Sequence, residues 1–139
     1  MENKKGISYE RGIEKIIMKI IFIAGAYIGD GTFEAIEHNI REAEKYAIAL
    51  ANEEIGFFCP HKHTEHFNSR GKAISPEQFY RDLDFQFLTR IADAVLVVPG
   101  WEKSQGTKRE LEWAKEKGMK IFYPKDPTDI EDLIKWAKF

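Results

Sequence analysis

Glu110 is the side chain in this sequence best placed to do chemistry. It lies in IADAVLVVPGWEKSQGTKRELEWA (residues 91–114), where an unbroken apolar run at 94–98 stops at Pro99-Gly100 and a loop leads into a helical pattern. Such a run, rich in β-branched residues, predicts a strand buried on both faces, as in a parallel sheet covered by helices. The carboxyl end of that kind of strand is where open α/β sheets hold their ligands. Ser104 suits a helix N-cap, Gly106 lets a ligand approach the backbone, and Glu110 follows one turn later. A carboxylate there can be catalytic. It can also be an ordinary acid favoured by the helix macrodipole, as can Glu112.

A second candidate is residues 25–31, Gly-Ala-Tyr-Ile-Gly-Asp-Gly. Glycine-rich turns between a strand and a helix bind anions and sugar hydroxyls. The spacing is not GxGxxG and no Walker lysine follows, so dinucleotide or ATP binding is not indicated. Tyr27 is the residue expected against a ligand, or else a half-buried packing aromatic. His61, His63 and His66 form a His-x-His-x-x-His tract that can ligate a metal. Hydrogen bonds to nearby backbone would occupy the same rings, and a short histidine tract alone is only compositional. His61, directly after Pro60, lies nearest the ligand edge. Asp82 and Asp84 are two apart on a predicted helix and cannot share a face, so one can enter the site while the other meets solvent. Asp93, at the far end of the central strand, is expected to turn or cap.

The elements that must position these groups follow from pattern. A strand at 19–24 runs into the glycine turn. Asp30 or Thr32 caps a long helix to about residue 52, with Ile36, Ile40, Ala43, Ala47, Leu50 and Ala51 at helical spacing. A short strand at 57–59 ends at Pro60, and a polar loop spans 60–75. Ser75 as N-cap and Pro76 at N1 predict a helix to about residue 92, with Phe79, Leu83, Phe87, Leu88 and Ile91 inward. Gly118 ends the Glu110 helix, and a last strand at 120–123 stops at Pro124. Asp126 or Thr128 starts a terminal helix with Ile130, Leu133, Ile134 and Ala137 inward. Alternating strands and helices predict an α/β domain with a parallel sheet of about four or five strands. Residues 18–139 form one domain. Residues 1–17 are expected to be an extension, with a short helix suggested by Ile13, Ile16 and Ile17.

The 139 residues suit a single core. With 21 basic and 23 acidic residues, the formal net charge of -2 offers no electrostatic case for nucleic-acid binding. One cysteine, Cys59, precludes an intrachain disulfide and fits a reducing compartment. No apolar stretch is long enough for a membrane span, and the start lacks the apolar core of a secretory leader, so a cytoplasmic location without membrane partners is expected.

Taken in order, these pieces resemble the nucleoside 2-deoxyribosyltransferase superfamily, in particular a small uncharacterised branch related to deoxyribosyltransferases and deoxynucleoside monophosphate N-glycosidases. The matching segments are Ile23-Ala24-Gly25-Ala26-Tyr27, Pro60-His61, Asp82-Leu83-Asp84, residues 92–97, then Pro99-Gly100-Trp101-Glu102-Lys103-Ser104-Gln105-Gly106 and Glu110-Leu111-Glu112-Trp113-Ala114. The Ser-x-Gly-x-x-x-Glu step is the most specific. The resemblance implies a flavodoxin-like (Rossmann-like) three-layer fold, no cofactor or metal, and a homodimer or larger homo-oligomer with sites near subunit contacts. It implies Glu110 as nucleophile toward an anomeric carbon. It assigns Asp84, rather than Asp82, to the departing base, with Tyr27 beside sugar and carboxylate. Gly25, Ala26, His61, Asp82, Gly100, Trp101, Ser104 and Gly106 are expected to line the nucleoside or nucleotide site. Retaining glycosyl transfer uses a carboxylate nucleophile in this way. Ala26 stands where many relatives have proline. No serine-rich phosphate-binding segment follows Gly118, and the carboxyl-terminal residues lack the pattern by which transferases complete a neighbouring site. The 5'-phosphate, the base, the sugar, and transfer against hydrolysis therefore stay open. The alternatives are a nucleoside- or nucleotide-derivative-binding module without turnover, and a metal-dependent hydrolase using His61, His63 and His66.

Overall fold

The computed structural model describes residues 7–10, 13–71 and 73–138. The elements are β1 (Ile7–Glu10), β2 (Ile13–Ile16), β3 (Ile20–Ala24), α1 (Phe33–Asn52), β4 (Gly56–Phe58), α2 (Pro60–His63), α3 (Glu77–Ile91), β5 (Ala94–Val97), α4 (Gln105–Glu116), β6 (Lys120–Phe122) and α5 (Glu131–Lys138). The main sheet has four parallel strands in the order β4-β3-β5-β6. The register sets Ile21 opposite Ala94 and Ala24 opposite Val97.

Alternation along the central strands builds the layers. Ile21, Ile23, Ala94 and Leu96 face a core made with Ala43, Tyr46 and Leu50 of α1 and Leu133 of α5. Phe22, Ala24, Val95 and Val97 face the other way, onto Leu88 of α3 and Leu111 and Ala114 of α4. The result is the α/β three-layer arrangement of flavodoxin-like and Rossmann-like domains. Because both faces of β3 and β5 are covered, their sequences are apolar throughout. Asp93 ties the amino-terminal end of the sheet: its carboxylate accepts from the Ile20 N–H at 2.8 Å, and its own N–H donates to Ile20 O at 2.8 Å.

The caps are partly as expected. The Thr32 hydroxyl accepts from the Ala35 N–H, and Asp30 in turn accepts from the Thr32 hydroxyl and N–H. The Ser104 hydroxyl accepts from the Thr107 N–H. Ser75 is not the cap of α3. Pro76 takes that position without any side-chain bond, because its fixed φ of -64° sits in extended geometry there. Asp126 accepts from the Thr128 N–H in a turn, and α5 starts only at Glu131.

Other expectations are corrected. Residues 7–10 and 13–16 pair as antiparallel strands, with Ile7 opposite Ile16, where a short helix was expected. Stretches this short are ambiguous by period, and two isoleucines three apart serve a hairpin end as well as a helical face. The polar loop opens with one helical turn, α2, entered through Pro60 at N1. Phe79 and Ile91 are about half exposed, and Ala51 is exposed: each lies at or near a helix end, where fewer neighbours cover it.

Gly25 marks the closest approach between the two central strand ends. A Cβ built there would lie 2.9 Å from Val98 Cβ. Gly25→Ala should therefore destabilise the domain by about 1–3 kcal/mol in urea denaturation, as over-packing in a filled core does. Adding it to Val98→Gly, which removes the Cβ it would meet, should cost little further; simple additivity of the two losses would contradict this.

Candidate active site

The loops leaving β3 and β5 diverge to opposite faces of the sheet, since α1 covers one and α4 the other. Between adjacent parallel strands such divergence opens a crevice at their carboxyl ends. A cavity of about 620 Å³ occupies it. Gly25, Ala26 and Tyr27 line it from the β3 side, Gly100, Ser104, Gly106 and Glu110 from the β5 side, His61 from α2 and Asp84 from α3. Gly100 turns the chain at a φ of +91°, a value that disfavours any side chain.

Glu110 is the sixth residue of α4, beyond the first turn, so the macrodipole does not explain it. Glu112 is exposed, whereas Glu110 is turned inward to the cavity. Burial pushes the Glu110 carboxyl up to about 8, with the nearby Asp84 charge adding to the shift and Arg109 opposing it. Burial alone pushes Asp84 up to about 7, and its Oδ1 has no hydrogen-bond partner among the described residues. Two carboxyl groups are thus held near one another where neither is neutralised, the condition under which one of a pair keeps its proton near neutral pH.

Tyr27 is half-buried, and its hydroxyl accepts from the His66 N–H at 3.3 Å. Burial, and the charges of Glu65 and Asp84, raise its pKa. Its carbonyl accepts from Asn39 Nδ2 at 3.0 Å, which fixes the loop to α1. His61 is buried; its Nε2 donates to Ala26 O at 2.8 Å, and burial pushes its pKa down, so the ring is neutral. The ring meets Tyr27 edge-on at 5.6 Å.

Two expected lining residues lie elsewhere. Asp82 is exposed on the outer side of α3, accepting from Gln78 Nε2 at 2.8 Å and paired with Arg109 at 3.4 Å. A two-residue offset from Asp84 turns it away. Trp101 packs over Tyr123 and the core beneath α4 instead of the cavity. The histidine tract diverges: His63 lies against Phe58 and Phe87, while His66 bonds Glu37 and Ser69. Among the described residues no three His, Cys, Asp or Glu side chains come together as a metal site, so the geometry gives no support to a histidine-bound metal.

Sequence reasoning missed Glu77, Tyr80 and Arg81 of α3, and Lys103 and Arg109 beside α4, all of which line the cavity. Helical spacing carries the signal for the first group: 77, 80, 81 and 84 form one stripe. Asn39, Phe67, Asn68 and Ser69 also line it, brought there by tertiary folding.

Residues 19–124 match the family model described as a domain of unknown function, DUF7768. The chain belongs to that family. No curated protein matches it.

The raised carboxyls have a consequence for stability. Between an unfolded value near 4 and the folded values of about 7 and 8, the folded chain binds more protons than the unfolded chain, so stability falls as pH rises through that window. Asp84→Asn and Glu110→Gln should each raise stability at pH 8 by about 1–3 kcal/mol, with the gain vanishing toward pH 4. Thermal melts across that range check it; a gain independent of pH would count against buried, proton-holding carboxyls.

Proposed function

We propose that this chain cleaves or exchanges the N-glycosidic bond of a nucleoside or nucleotide. What carries the reading is the convergence of Glu110, Asp84 and Tyr27 on one cavity at the carboxyl ends of β3 and β5. Those are the three residues to which the resemblance to nucleoside 2-deoxyribosyltransferases assigns the chemistry.

Near neutral pH the pair shares one proton, and the reaction runs from the form in which that proton lies on Asp84 and Glu110 is ionised. The Glu110 carboxylate attacks the anomeric carbon. The C–N bond breaks, its electron pair leaves with the base, and Asp84 supplies the proton that neutralises the base. The sugar is then a glycosyl ester of Glu110. Water, or a second base, attacks the same carbon and restores the Glu110 carboxylate, while Asp84 takes up the released proton. Tyr27, facing the cavity beside Asp84, lies against the sugar. Gly106, where a Cβ would meet no atom within 4 Å, leaves room for it, and the partly enclosed cavity restricts water around the carboxyl pair.

The protein works in the cytoplasm as a homodimer or larger assembly. Two observations support this. Among the described residues no helix is long and apolar enough to cross a membrane. Phe67, which lines the cavity, and Ile74 and Phe79 expose apolar side chains, with Ile74 98% exposed, and surface of that kind favours covering by another subunit.

Three outcomes are expected. Chromatography of deoxy- and ribonucleosides and their monophosphates, incubated with and without a second free base, should show released or exchanged base. Glu110→Gln should lower that turnover by about 10³-fold or more while ligand binding persists. The pH–rate profile should be bell-shaped with limbs near 7 and 8, because only the singly protonated pair works. Ligand binding with no turnover across the panel would favour a binding module.

A further inference from the structure

A second cluster of reactive groups stands apart from the carboxyl pair. His66 is fully buried. Its Nε2 lies 2.7 Å from Glu37 Oε1, and its Nδ1 lies 2.6 Å from Ser69 Oγ. Glu37 also pairs with Arg41 Nε at 2.9 Å, and its carboxyl is held below the usual range chiefly by the His66 hydrogen bond. A carboxylate can only accept, so Nε2 carries the proton and, in the neutral ring, Nδ1 is left to accept from the Ser69 hydroxyl. The Phe33 ring stacks on the imidazole at 4.3 Å and fixes its plane. His66 itself has a φ of +56°, a strained value for a residue with a side chain. The turns that follow, with Arg70 N–H donating to His66 O at 3.0 Å, bring Ser69 back over the ring. Ser69 is exposed and lines the cavity.

An exposed hydroxyl bonded to a bare imidazole nitrogen, with a carboxylate behind the ring, is the arrangement that activates a serine. We propose that Ser69 is a second nucleophile, activated by His66 and Glu37, that accepts the acyl group of small carboxylic esters. Ser69 Oγ adds to the ester carbonyl as its proton passes to His66 Nδ1, and Glu37 balances the imidazolium. The ester C–O bond breaks, and the leaving alcohol takes the proton from Nδ1. Water then attacks the acyl-serine by the same route, releasing the acid and restoring Ser69. Arg81, ion-paired with Glu77, and Lys103 line the same cavity and are the cations nearest in kind to what a developing oxyanion needs. None of these steps uses Glu110 or Asp84, so this activity is independent of glycosidic cleavage.

The probe is p-nitrophenyl acetate, with stopped-flow detection of nitrophenol and peptide mapping of the quenched protein. A burst approaching one nitrophenol per chain is expected, with acetyl on Ser69. Ser69→Ala should abolish burst and adduct, with circular dichroism showing that the fold is kept. Glu37→Gln should slow acylation roughly 10-fold or more while circular dichroism stays unchanged. No burst, or an adduct elsewhere that survives Ser69→Ala, overturns the proposal. Base release from nucleosides is scored separately, so either activity can fail alone.

Discussion

The pairing of β3 with β5 is the constraint on which the rest depends. These strands are neighbours in space but far apart in sequence, and their register runs from Ile21–Ala94 to Ala24–Val97. Beyond that register the Val98 N–H still donates to Ala24 O at 2.8 Å, so the two chains part only at Gly25 and Pro99. One loop then turns to α1 and the other to α4. Every group in the candidate site hangs from that parting: Tyr27 on one loop, Ser104 and Glu110 at the end of the other, with α2 and α3 closing the side. The absence of a side chain at Gly25 is what lets the ends lie so close, since any Cβ there would meet Val98.

The charges divide into two regimes. On the surface between α1 and the 60–65 segment, Arg41 bonds Glu44 and Glu65, and Lys62 bonds Glu44 and Glu65, at 2.5–3.0 Å. Each such pair alone adds little, but the network docks the segment that carries His61 and His66. In the cavity the opposite holds. Among the described residues Asp84 is in no ion pair, and Arg109, which lowers the Glu110 value, also stacks on Phe85 at 4.3 Å and pairs outward with Asp82. The fold holds two carboxyl groups where their charge is disfavoured, at a cost in stability. Such placement is typical of groups that exchange protons during a reaction.

Much of this was legible in the sequence. The apolar run at 94–98, the Thr32 and Ser104 caps, and the proline and glycine stops mark the succession of elements along the chain because each rests on local chemistry. Helical spacing separates Asp82 from Asp84, and the structure turns Asp84 to the cavity and Asp82 outward. What the sequence hid is what depends on distant contacts. Trp101 reads as a loop aromatic near a ligand but finds Tyr123 and the core. His66 reads as one of three ligands, yet Glu37, twenty-nine residues away, captures its ring. Residues 7–10 and 13–16 are too short for their period to distinguish a helix from paired strands. Pro76 supplants Ser75 as a cap because its backbone already has the required angle.

The most direct measurement is a search for the covalent intermediate. Incubating the protein with a nucleoside whose sugar carries fluorine at C2 slows departure of the sugar by destabilising the oxocarbenium-like transition state. Mass spectrometry of the digested protein should then find the fluoro-sugar as an ester on the peptide containing Glu110, with one equivalent of base released. Base release with no adduct on that peptide, or an adduct on a different carboxylate, would contradict Glu110 as the nucleophile.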